Sequence, residues 1–93
     1  MVPDWIGEVI SPSTAALDRV KKRALYASHG VGHYWMVDPE ARTLEALELN
    51  AGRWLEIGAW DEDAAVRISP FAELELEVGR LFLPREAEGE PER

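Results

Sequence analysis

Glu8 is the residue that asks for chemistry. It stands in Trp5-Ile6-Gly7-Glu8-Val9-Ile10, a run that is otherwise apolar. An unpaired charge in such surroundings is costly, so water, a partner charge or a metal ion must relieve it. A strand carboxylate can hold a divalent cation through oxygen, as magnesium prefers. A lysine beside it can stabilise charge on a phosphoryl group or orient an attacking water. Lys22 is the candidate for that role. Asp18, Lys22 and Tyr26 recur at i, i+4 and i+8 and share one face of a helix. That helix follows the strand after the short loop 11–14, so its face could lie over the strand's carboxyl end. Spacing alone also allows a plainer reading, with Asp18 and Lys22 a surface ion pair and Glu8 at a wet sheet margin.

Other polar groups offer less. Asp4 shares the strand parity of Glu8, but four residues along a strand is about 13 Å, too far for both to hold one ion. His29 and His33 have Gly30 and Gly32 between them, so no helix fixes them on one face, and they are not read as a metal site. Ser11, Ser13 and Thr14 have no base placed to activate them and read as turn and cap residues. The tryptophans at 5, 35, 54 and 60 read as core or interface rather than a base-stacking platform, because acidic residues surround them.

The elements that must position these groups follow from periodicity. Residues 5–10 are apolar on both parities, the pattern of a strand covered on both faces. Pro12 ends it, and Ser13 or Thr14 can cap the next helix. Leu17, Val20 and Ala24 give that helix an apolar stripe, and Gly30 predicts its C-terminal stop. His33–Asp38 is a second apolar strand. Arg42–Asn50 and Arg53–Trp60 read as a hairpin around Asn50-Ala51-Gly52. Val66–Ser69 reads as a short strand, and Glu73–Val78 alternates with Leu74, Leu76 and Val78 inward. Gly79–Phe82 reads as a last helical turn. The expected fold is α/β, a mixed sheet (α+β in layout) of β-α-β followed by a β-meander, with one main helix. Residues 1–83 form a single domain, and the polar tail 84–93 is expected to be disordered.

Composition narrows the partners. The chain has 93 residues, 46% of them hydrophobic, and no cysteine. That excludes disulfides, thiolate catalysis and cysteine zinc sites, and fits a cytoplasmic location. No stretch approaches the roughly 20 apolar residues of a membrane span, and no leader pattern opens the chain. The net charge of −8 is uneven. Residues 1–36 carry Arg19, Lys21, Lys22 and Arg23 against Asp4, Glu8 and Asp18, a net of +1. Residues 37–93 carry six arginines against fifteen acids, a net of −9. Such a surface repels phosphate backbones, so DNA is a disfavoured partner outside the cluster Arg19, Lys21 and Arg23. One helix cannot cover both faces of the sheet, so a second copy in a homo-oligomer (a dimer), or residues this chain lacks, is expected to cover the rest.

The ordered motifs add a resemblance. Pro3-Asp4, Glu8-Val9-Ile10, Ser11 to Thr14, Asp18, Lys22, Tyr26, Gly30-Val31, Tyr34-Trp35 and Val37-Asp38-Pro39 occur in series. Over residues 3–83 this resembles the C-terminal half of the Uma-two family, restriction-endonuclease-like proteins of the PD-(D/E)xK nuclease superfamily. The resemblance implies Glu8 as the acidic catalytic residue and magnesium ligand, with Ile10 where the usual lysine stands and Lys22 as the migrated, catalytic lysine. Asp4, Asp18 and Tyr26 are secondary candidates, and Arg19, Lys21 and Arg23 would steer nucleic acid. It implies Mg²⁺ or Mn²⁺ as cofactor for an active enzyme. Full-length relatives carry an upstream half with a further metal-binding aspartate, so the expectation is a truncated endonuclease-like protein, inactive alone. Two rivals stay open: an endonuclease dimer whose site takes a carboxylate from each chain, and a non-enzymatic acidic interaction or structural subunit.

Overall fold

The computed structural model describes residues 3–10 and 15–84, with the backbone alone for 15–19. Strand β1, Trp5–Val9, leads through helix α1, Ala15–Ser28, to β2, His33–Asp38. The chain continues as β3, Thr43–Asn50, and β4, Arg53–Asp61, and then as two short strands, β5, Ala65–Val66, and β6, Leu76–Glu77. A 3-10 turn, Val78–Leu81, follows.

The first four strands form one mixed sheet in the order β1-β2-β3-β4. β1 runs parallel to β2, which the helical crossover requires, and β2, β3 and β4 are antiparallel. This is the expected β-α-β and meander. β5 and β6 stand apart as a two-stranded ribbon rather than extending that sheet.

Each local signal has its physical counterpart. The helix stops where Gly30 takes a φ of +78°, as a residue without Cβ can. The β3–β4 turn places Ala51 and Gly52 both at positive φ, 53° and 81°, which matches the twist of the flanking strands. Between Ala46 and Leu47 the register slips, so Ile57 of β4 is a bulge residue without an opposite partner.

Two cores sit on the two faces. On the helix face, Tyr34, Met36 and Leu47 are buried, with Ile6, Ile10, Tyr26 and Trp54 against them. On the other face, Trp35, Leu44, Ala46, Ile68 and Val78 are buried, with Trp5 and Trp60 among their neighbours. Trp5, Trp35 and Phe71 meet edge to face, their centroids 5.4–5.6 Å apart.

Two readings need correction, and the first is the strand expected at Val66–Ser69, of which only Val66 pairs, within Ala65–Val66. The alternation of residues 73–78 predicts a full strand with Leu74 inward. Only Leu76 and Glu77 pair, and Leu74 is 68% exposed. Its partner β5 has only two residues, so the ladder ends before Leu74 is reached, and Val78 is buried from the 3-10 turn. The capping residues 13 and 14 and the tail beyond 84 lie outside the described residues. No described helix is long and apolar enough to cross a membrane.

Candidate active site

Register explains where Glu8 goes. Ile6 lies opposite Tyr34 and Glu8 opposite Met36 on the parallel neighbour. Side chains of paired residues share a face, so Glu8 points to the side that carries α1. There the Tyr26 hydroxyl donates to Glu8 Oε2 at 2.6 Å, and the Tyr34 hydroxyl donates to Oε1 at 3.1 Å. Lys22 Nζ stands 3.1 Å from Oε2. The lone carboxylate of the apolar strand is thus held by a phenol from the helix, a phenol from the sheet and an ammonium.

The burial of the pair is graded. The Glu8 side chain is 16% exposed and that of Lys22 37%. Tyr34 is fully enclosed, its ring 5.1 Å from Tyr26 and 5.8 Å from Trp54. Burial, and then the negative charge of Glu8, push the Tyr34 hydroxyl well above the usual tyrosine range. Tyr34 therefore stays a neutral donor at any physiological pH. Trp54 Nε1 donates to the Arg23 carbonyl at 2.9 Å and ties α1 to β4.

The structure brings Glu8, Lys22 and Tyr26 together, as the stripe on α1 implied. Asp4 is exposed at the other end of β1, and its carbonyl accepts the His33 N–H at 3.0 Å. Asp18 and Arg19 belong to α1, but their side chains lie outside the described ones. Lys21 is exposed and Arg23 half-buried. Tyr34 is the residue that sequence reasoning missed. A hydroxyl-bearing ring inside an apolar strand needs a polar partner, and its parity with Glu8 across a parallel pair was the available signal.

Magnesium tests this donor set. Glu8 offers a hard anionic oxygen, and among the described residues Oε1 meets one donor and Oε2 two. Among the described residues no group of three or more His, Cys, Asp or Glu could hold a metal ion. An ion that takes six oxygens in a near-octahedron therefore finds one fitting ligand here, not a full set.

Comparison with known proteins gives this geometry a context. A family described as "Putative restriction endonuclease", Uma2, matches residues 1–79. Among solved structures, a "putative nuclease belonging to DUF820" from Anabaena variabilis is 27% identical, with a TM-score of 0.63. The match covers 87% of this chain and 44% of that one, so this chain spans less than half of that relative's length. No curated protein matches the chain.

Proposed function

Because the chain belongs to the Uma2 family and has a nuclease-like fold, we propose that it carries half of a phosphodiester-cleaving site, Glu8 and Lys22, and is inactive as a single chain. The observation that carries this reading is the Glu8 carboxylate, set within 3.1 Å of Lys22 and oriented by two phenols. Glu8 would supply one oxygen ligand to a magnesium or manganese ion. Such an ion, when bound, supplies charge neutralisation and an activated water.

The chain's own residues do the rest of the positioning. Tyr26 and Tyr34 fix both carboxylate oxygens, so Glu8 needs no reorganisation to present its charge. Lys22 is partly exposed and flexible, so its ammonium can turn from Glu8 to a phosphate oxygen arriving from solvent. The acidic remainder of the chain discourages indiscriminate tracking along nucleic acid, which leaves recognition to contacts near this pair.

Plasmid cleavage tests the reading. With Mg²⁺ or Mn²⁺, dilute protein should fail to nick supercoiled DNA. Cleavage should rise more steeply than protein concentration and vanish in Glu8→Gln and Lys22→Ala. Equal nicking by all three proteins, or a rate linear in concentration, overturns it. One observation favours a second reading, a non-enzymatic structural or acidic interaction subunit. Glu8 is already paired with Lys22 and hydrogen-bonded by both tyrosines, as a pin between helix and sheet would be. Absence of cleavage at every concentration would support that reading.

A further inference from the structure

The side of α1 turned toward the sheet is not its apolar one. Lys22, Arg23, Tyr26 and Ala27 are half-buried, while Val20, 67% exposed, and Leu25, 52% exposed, face outward with Lys21 and Ala24. Residues 22 and 26, and 23 and 27, are i, i+4 neighbours, so the four form one face. The buried stripe is therefore not the Val20 and Ala24 one that spacing alone predicts. It brings two cations in under the helix.

One of the two is accounted for. Lys22 pairs with Glu8, and the two charges offset each other. Arg23 is different. Two described arginines are half-buried, Arg23 and Arg42. Arg42 has the Glu62 carboxylate on its Nε and the Phe82 ring 5.2 Å from its guanidinium carbon. The Nε of Arg23 is enclosed, yet among the described residues it meets no acceptor. Nor does a described carboxylate pair with Arg23, in a chain of 18 acids to 10 lysines and arginines. A buried donor without an acceptor is costly. A guanidinium cannot shed its proton to escape that cost, whereas an anion relieves it.

The surroundings favour an anion at this place. The charge of Arg23 reaches the Tyr34 hydroxyl, where burial and then Glu8 act to raise the pKa and Arg23 acts to lower it. Arg23 thus belongs to the cluster of Glu8, Lys22, Tyr26 and Tyr34. With Glu8 and Lys22 offset, that cluster has one cation in surplus. Trp54 Nε1 donates to the Arg23 carbonyl at 2.9 Å, which fixes the backbone of Arg23 before any ligand arrives. Lys21, one residue away, is exposed and offers a mobile point charge instead.

We propose that Arg23 seats a phosphate group of a nucleic-acid backbone, its guanidinium gripping two phosphoryl oxygens beside the Glu8–Lys22 pair. The anion seat stands on the surroundings of Arg23, and only the choice of nucleic acid as the source of the phosphate rests on the nuclease reading. Such a seat differs from diffuse steering. A half-buried arginine fixes where a phosphate stops, whereas surface cations only raise its local concentration.

Binding in EDTA tests this without any cleavage, with inorganic phosphate and a short DNA duplex as the two probes. Followed by nuclear magnetic resonance, the Arg23 Nε–H signal should shift saturably as duplex is added. In fluorescence anisotropy, Arg23→Gln should bind the duplex about tenfold more weakly, and Lys21→Gln less than about threefold. Arg23→Lys keeps the charge and the stem but loses the fork. It should regain little of the affinity while its far-ultraviolet circular dichroism matches wild type. Equal losses in Lys21→Gln and Arg23→Gln, or full recovery in Arg23→Lys, overturn the proposal in favour of diffuse attraction. A signal that answers to free phosphate and not to the duplex, or to neither, overturns it too. The expected binding pattern in a chain that never cleaves DNA sustains the seat and sinks the nuclease reading.

Discussion

Replacing Tyr34 by Phe removes one oxygen and leaves the ring that Tyr26 and Trp54 pack against. A hydrogen bond to a charged acceptor is lost, so urea unfolding of Tyr34→Phe should show a loss of about 2 kcal/mol. The same residue sets a pH dependence. Its hydroxyl is held above the ordinary value of 10.0 by burial and by Glu8. Above that value the unfolded chain gives up a proton that the folded chain retains. Stability is therefore full below pH 10 and falls as pH rises beyond it. Absorbance at the phenolate band should show Tyr34 ionising only as the fold is lost, and Tyr34→Phe should flatten this alkaline limb. Glu8 and Lys22 were legible because a charge in an apolar run and a lysine on a spaced helical stripe both stand out. Tyr34 was hidden because one hydroxyl scarcely alters the look of His33–Asp38 as a core strand.

Among the elements, the β3–β4 hairpin is where local sequence speaks most plainly. Ala51 sits at a φ of 53° with nothing but its backbone to recommend it, and Gly52 follows at 81°. Asparagine tolerates that region better than alanine, so Ala51→Asn should raise the thermal midpoint by the equivalent of about 0.5 kcal/mol. Gly52→Ala should lower it by about 1 kcal/mol, read in the same melting experiment. The bounds of β2 were legible to the residue, since an apolar run between Gly32 and Pro39 leaves little choice. The strand expected at 73–78 was not, because alternation records where side chains could point and says nothing about whether a partner strand is long enough. Leu74 alternates correctly and still faces solvent, as the two residues of β5 end the pairing before it.

At the scale of the molecule, charge and edges were legible to different degrees. The contrast between +1 and −9 is a matter of counting, whereas which strands end the sheet depends on long-range pairing that periodicity does not encode. Those edges also set valence. A subunit with two receptive edges polymerises, because every addition leaves a fresh one exposed. Along β4, the unpartnered Ile57 and the charges at Arg53, Glu56 and Asp61 blunt one edge of the main sheet. Sedimentation at rising concentration should therefore show no ladder of growing species, since a single out-of-register residue in β4 denies further strands a flat edge to extend.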